Sequence, residues 1–241
     1  MHTSDREPWL RGYLGNGLLA AQLVAEGGLA GDAGTPLHLM AGLFDRAEGE
    51  EVERPVPLPA WNMLRLSMAG EALHPSLAHD YEQTLDVRRG LAETTHDWAV
   101  DGGFVRVQTT QAVLRHKPHL ALIVLSLEAG RACEVEVQAD LDATGPHLRR
   151  AARGCAEPGQ IWAEARTVER DVGLAAAGVL FQDGQSGRVT PGHAAIRVAL
   201  EPGSPKVVIW LVSIHTDRTA ARPREAALAE LSRARSLGPA R

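Results

Sequence analysis

Along this chain, hydrophobic and polar residues alternate far more often than they recur at helical spacing. Val105, Val107, Thr109, Gln111 and Val113 share one parity, and Phe104, Arg106, Gln108, Thr110 and Ala112 the other. A period of two sends successive side chains to opposite faces of a sheet. Cys133, Val135, Val137, Ala139 and Leu141 alternate with Glu134, Glu136, Gln138 and Asp140, the pattern of a strand with one buried and one wet face. Leu64 to Met68 alternates in the same way, and Leu120 to Leu127 is almost wholly apolar, which predicts a strand buried on both faces. Gln160 to Val168, Gly173 to Gln182, Ile196 to Leu200 and Lys206 to Ile214 read as further strands.

Turn chemistry separates these runs. Asp101-Gly102-Gly103 closes a hairpin, because glycine supplies the positive φ that a tight connection needs. Arg89-Gly90, His116-Lys117-Pro118, Asp183 to Gly187 and Glu201 to Pro205 mark other turns, so Tyr81 to Ala129 reads as three strands of fixed register around which the chain is organised. Pro55, Pro57 and Pro59 make an extended connector, since proline's fixed φ and missing donor exclude it from helix interiors and central strands. Thr144 to Gly159, rich in Gly, Pro and Arg, reads as a loop. Trp9 to Gly17 holds three glycines and reads as a bent turn; a phosphate loop needs Lys and then Ser or Thr after its last glycine, and here Leu18 and Leu19 follow.

The period changes only near the end. Pro223 suits a first helical turn, Ala227, Leu228, Leu231 and Ala234 recur at helical spacing, and Gly238-Pro239 stops the run. About ten strands followed by a short helix predict an all-β, sandwich-like domain with a helical tail.

Composition narrows the function classes. The 241 residues, 44% hydrophobic and 23% charged, are ordinary for a globular protein and enough for one large β domain. Twenty-five Lys and Arg lie scattered among 30 Asp and Glu for a net charge of −5, without the basic stripe that nucleic-acid binding needs. Cys133 and Cys155 make no disulfide framework. No stretch approaches the roughly 18 apolar residues of a membrane span, and the N-terminus lacks a basic region followed by an apolar run. The expectation is a soluble cytoplasmic protein with no nucleic-acid or membrane partner.

Five short segments, in order, resemble the N-terminal domain of glycoside hydrolase family 65. They are Gly12-Tyr13-Leu14-Gly15-Asn16-Gly17, Ala41-Gly42-Leu43-Phe44-Asp45, Leu58-Pro59-Ala60-Trp61-Asn62, Thr84 to Gly90, and His116-Lys117-Pro118-His119-Leu120-Ala121. In the first, Asn16 follows Gly-Tyr-Leu-Gly where the family's "NGYLG" has it in front, so no inherited role attaches to it. The family includes maltose, kojibiose and trehalose phosphorylases, acid trehalases and the glucosidase of glucosylgalactosyl-hydroxylysine. The resemblance implies a large antiparallel β super-sandwich of galactose-mutarotase-like kind over residues 1–218. It implies a linker helix over 219–241, leading to an α/α barrel that carries the catalytic glutamate. Because the chain ends where that helix ends, the expectation is a non-catalytic domain that partners a barrel domain or chain, acts with it on α-glucosides, and needs no cofactor. A free-standing carbohydrate-binding module and a subunit of a split glycosidase are the alternatives.

No catalytic or metal-binding residues stand out. Glycoside hydrolysis needs two carboxyl groups about 5–9.5 Å apart; Asp140 and Asp142, expected two apart on one strand face, read as solvated strand-end acids, and Glu48, Glu50, Glu51 and Glu53 as a solvated loop. His116 and His119 bracket a turn without a third ligand nearby. Cys133 falls on the apolar side of its strand, where a thiol is inert packing. Sugar sites in β domains use aromatic platforms with a few fixed polar groups, and Trp61 with Asn62 is the first candidate for carbohydrate contact, because the proline-rich approach places it in a loop; Trp98 and Trp162 follow.

Overall fold

The computed structural model describes residues 2–3, 12–32, 34–156 and 158–236. Two antiparallel sheets face each other across one main core. The larger has ten strands, with the main path running His2–Thr3, Asp80–Asp86, Leu91–Val100, Gly103–Val113, Leu120–Ala129, Lys206–Thr216, Gly173–Gln182, Gln160–Thr167 and Leu148–Ala156, while Gln185–Ser186 pairs beside Gly173–Gln182. The smaller orders Arg188–Thr190, His193–Leu200, Cys133–Asp140, Arg65–Met68 and Glu71–Ala72. The last strand, Lys206–Thr216, inserts between Leu120–Ala129 and Gly173–Gln182 and so joins the two halves of the large sheet.

The alternating patterns set the faces as expected. Val105, Val107, Thr109 and Gln111 are fully buried on the inner face of the large sheet, and Val135, Val137 and Ala139 answer them from the small one. Trp210, completely buried, fills the centre. Gly178 makes room for it: a Cβ there would lie 2.1 Å from the indole Cη2. Residues 12–32 and 34–64 are laid into this scaffold as a three-stranded sheet (Tyr13–Gly15, Leu19–Gln22, His38–Met40), a two-stranded ribbon (Phe44–Asp45, Arg54–Pro55) and coil.

Four details differ from the sequence reading. Tyr81 to Ala129 contributes four strands rather than three, because Asp80–Asp86 pairs in register with Leu91–Val100. Leu120–Ala129 is sealed along its inner face, but on the other only Leu120 is fully buried, with Leu122, Val124 and Ser126 half-buried. The expected loop at 144–159 contains the strand Leu148–Ala156, an edge strand with a bulge between Arg149 and Ala152; it pairs on one side only and is largely exposed, so no alternation advertises it. Asp140 ends its strand and Asp142 lies beyond it in coil, so the two acids do not share a strand face.

The C-terminal helix spans Pro223–Ser236 and lies across the outer face of the large sheet. Ala227 and Leu231 are its buried residues, packed with Leu120, Ala177, Val179 and Leu211. The predicted stop at Gly238-Pro239 and the start of the predicted turn, Trp9 to Arg11, lie outside the described residues.

Candidate functional site

The proline-rich connector ends in a buried polar knot. Trp61 is 2% exposed and Asn62 is fully buried. The Trp61 ring stacks on His38, centroids 5.2 Å apart, and its carbonyl oxygen accepts the Trp210 indole N–H at 2.8 Å. Asn62 accepts from His38 Nε2 at 2.7 Å and donates to the Gln22 carbonyl and to Gln111 Oε1, each at 3.1 Å. His38 Nδ1 is buried and has no hydrogen-bond partner among the described residues. Burial pushes the His38 pKa down to about 4, against the partly restoring hydrogen bond to Asn62. Protonation would also add a buried N–H at Nδ1 with nothing to receive it.

Trp61 and Asn62 therefore face inward and offer neither a ring face nor an amide to solvent. They hold the backbone of the segment just before them, Pro57 to Ala60, and that segment lines a cleft of about 470 Å³. Met63, Pro36 and Leu37 complete its apolar side, and its polar side is Arg65, Asp140, Asp142 and Thr144. Asp140 pairs with Arg65 and accepts from His193 Nδ1 at 2.9 Å, whereas Asp142 accepts from Thr144 Oγ1 at 3.2 Å. The sequence put the aromatic pair first; the loop that it anchors is the part that meets solvent.

The loops at one pole form a second feature. The 87–90 turn, the 114–119 turn, the 168–172 turn and the 217–222 segment lie at the same end of the large sheet, as its pairing register requires. Asn16 is clamped there, donating to the Leu114 and Pro118 carbonyls at 2.9 and 3.0 Å. Asp45 accepts from the amides of Glu169 and Arg170. Burial alone would raise the Asp45 pKa, but hydrogen bonds from Thr167 and from the amides of Arg46, Glu169 and Arg170 leave it lowered. The Arg218 guanidinium reaches the Gly42 carbonyl. Four of the five family-like segments, around 12–17, 41–45, 84–90 and 116–121, thus gather at this pole. Tyr13, Phe44 and Val87, three of the six large apolar residues exposed among the described residues, belong to these segments.

The remaining candidates have structural surroundings. Trp98 is 3% exposed and donates to the His74 carbonyl; Trp162 lies beneath the Arg224 guanidinium at 4.6 Å. His116 is exposed, while His119 stacks on His215 at 3.9 Å and bonds to the Ile214 carbonyl. Glu50 and Glu53 are tied to Arg54 and Arg170, and Cys133 is partly buried, which raises its thiol pKa. Among the described residues, His79, Asp80 and Asp97 could bring three ligand atoms together, but Arg106 already engages both oxygens of Asp97. The network missed by sequence reasoning is His215 and Ser213 on Glu230, at 2.9 and 2.7 Å, which ties the terminal helix to the sheet. No periodicity marks a pair separated by a turn.

A large two-sheet antiparallel sandwich closed by a C-terminal helix defines the class: a β super-sandwich domain. The chain belongs to glycosyl hydrolase family 65, N-terminal domain, whose family model matches residues 11–240. A solved structure assigned as a kojibiose phosphorylase from the human microbiome is similar in fold, with a TM-score of 0.77 at 14% identity. The match covers 93% of this chain and 33% of that one, so this chain spans about a third of that protein's length. More distant likenesses include a GalM/aldose epimerase homologue from C. elegans, with a TM-score of 0.41 at 9% identity over 86% of this chain and 99% of that one. Heparan sulfate lyase HepC from Pedobacter heparinus gives 0.41 at 10% identity over 86% and 37%. No curated protein sequence matches the chain. Among the described residues no helix is long and apolar enough to cross a membrane.

Proposed function

We propose that this domain is the non-catalytic N-terminal part of a family 65-type enzyme acting on α-glucosides, and that its work is to dock against an α/α-barrel catalytic domain through the pole described above. The observation that carries the reading is that exposed Tyr13, Phe44 and Val87 belong to three of the family-like segments that meet at this pole. Exposed apolar groups concentrated in one region mark interaction sites. The loops beneath them are fixed by Asn16, Asp45 and Arg218, so docking would require little ordering of the domain. The same reading takes the helix Pro223–Ser236 as a linker packed on its own sheet, and covers a barrel on the same chain or on a separate one.

The test is reconstitution. The isolated chain is assayed on kojibiose, maltose and trehalose with and without phosphate, then mixed with an α/α-barrel domain of the family. No turnover alone and co-elution with the barrel domain are expected, with affinity lowered at least about tenfold by the double variant Phe44→Asp, Val87→Asp. Turnover of any of the three disaccharides by the chain alone would refute the non-catalytic role.

A further inference from the structure

We propose that the cleft between the Pro57–Ala60 segment and the end of the Cys133–Asp140 strand is a binding site for a neutral saccharide unit. Its volume, about 470 Å³, falls in the range of small-molecule sites, roughly 300–1,000 Å³. The two sides have the complementary chemistry that a pyranose presents. On one lie the C–H surfaces of Pro57, Pro59, Ala60 and Met63, suited to the apolar face of a sugar ring. On the other lie the Arg65 guanidinium and the Asp140 and Asp142 carboxylates.

Those polar groups have capacity to spare. A guanidinium offers five N–H donors and a carboxylate about four acceptor positions. Asp140 uses part of its capacity on Arg65 and His193, and Asp142 has the Thr144 hydroxyl. Free donors beside free acceptors match vicinal hydroxyls, each of which both gives and receives a proton. Charge excludes the obvious competitor: Arg65 is balanced by Asp140, and Asp142 remains as a surplus negative charge, so phosphates and other anions are disfavoured. The apolar wall is also held in place before any ligand arrives. The Leu58 amide bonds to the His38 carbonyl at 2.9 Å, Trp61 is pinned by Trp210, and Asn62 makes three buried hydrogen bonds. A fixed wall lowers the ordering cost of binding.

The site stands on the cleft's own chemistry and does not depend on docking at the pole. It is tested by titrating the ¹⁵N-labelled chain with glucose, maltose, kojibiose and glucose 1-phosphate, and following amide shifts. Saturable shifts at Ala60, Met63 and Thr144 are expected with a dissociation constant of about 1–10 mM for the neutral sugars, and weaker binding of the phosphate ester. Ala60→Trp, which fills the cleft, and Asp142→Ala, which removes its free acceptor, are each expected to weaken binding at least about tenfold. If Ala60→Trp fails to fold, the exposed Asp142→Ala decides. No saturable shift up to about 100 mM sugar, shifts confined elsewhere, or undiminished binding by Asp142→Ala would overturn the assignment. Tighter binding of glucose 1-phosphate than of glucose would overturn it too.

Discussion

The indole N–H of Trp210 donates to the main-chain oxygen of Trp61 at 2.8 Å, and both residues are shut away from solvent. The bond joins the last strand of the large sheet to an irregular segment 149 residues earlier, where no ladder exists to satisfy the Trp61 carbonyl. Trp210→Phe removes the donor, strands a buried acceptor and leaves a void. Urea unfolding should read a loss of about 2–4 kcal/mol; a loss below about 0.5 kcal/mol, within the range of a surface substitution, would mean that the bond anchors nothing.

Gly178 bears on the same ring from the neighbouring strand. With a Cβ placed 2.1 Å from the indole edge, Gly178→Ala cannot be accommodated without moving Trp210 or the strand. The expected cost is about 1–3 kcal/mol by thermal or urea unfolding, and the double variant Gly178→Ala, Trp210→Phe should cost less than the sum, because the smaller ring removes the clash.

The sequence was legible where two faces differ. Val105 to Val113 and Cys133 to Leu141 each have one face in the core, so their alternation wrote the sandwich into the chain. Leu148–Ala156 was hidden because an edge strand with Arg149, Arg150 and Arg153 largely exposed has no dry face to reveal. The candidate site was half legible. Pro55, Pro57 and Pro59 correctly placed Trp61 and Asn62 in a loop, but a loop's direction depends on residues far away: His38, Gln111 and Trp210 draw the pair inward and turn the preceding prolines toward the cleft. Asp140 and Asp142 gave no sign of a common cleft with Arg65, since that meeting depends on strand pairing between Arg65–Met68 and Cys133–Asp140.

His38 makes stability depend on pH in a definite direction. Its folded pKa is about 4, against an ordinary value of 6.5, so between these values the unfolded chain binds the extra proton. Its contribution is intact above about pH 6.5, falls as the pH drops towards about 4, and is constant below that. At about 1.4 kcal/mol per pH unit the full effect is on the order of 3 kcal/mol. His38→Gln should flatten the slope of unfolding free energy between about pH 6.5 and 4.5 relative to the unmodified chain; parallel slopes would show that His38 is not the group responsible.

Glu230 fixes the terminal helix to the sheet. Burial would raise its carboxyl pKa, but hydrogen bonds from His215 and Ser213 leave it lowered. A lowered folded pKa means that the contribution is present above the unfolded carboxylate pKa and is lost as the pH falls through the folded one. Glu230→Ala should therefore release the helix, with faster amide exchange across 223–236 and a stability loss of about 1–2 kcal/mol at neutral pH that shrinks in acid. Unchanged exchange would assign the docking to the packing of Ala227 and Leu231 and to the bonds made by Gln160, Arg224 and Arg235.

Asn16 clamps the pole through both ends of its amide. Nδ2 donates to the carbonyls of Leu114 and Pro118, and Oδ1 accepts from the amides of Leu18 and Leu19 at 2.9 and 2.8 Å. Asn16→Asp keeps the two acceptor bonds but sets a carboxylate against two carbonyl oxygens. Asn16→Ala removes all four bonds, yet the bond to Pro118 is exposed and water can replace it. Both variants should lower stability by about 1–2 kcal/mol, but they should differ in where they act. With Asn16→Asp the repulsion falls on the 114–119 turn, so exchange there accelerates while Leu18 and Leu19 stay protected; with Asn16→Ala both segments loosen. Equal protection at Leu18 and Leu19 in the two variants would show that Oδ1 is not what holds the start of the 19–22 strand.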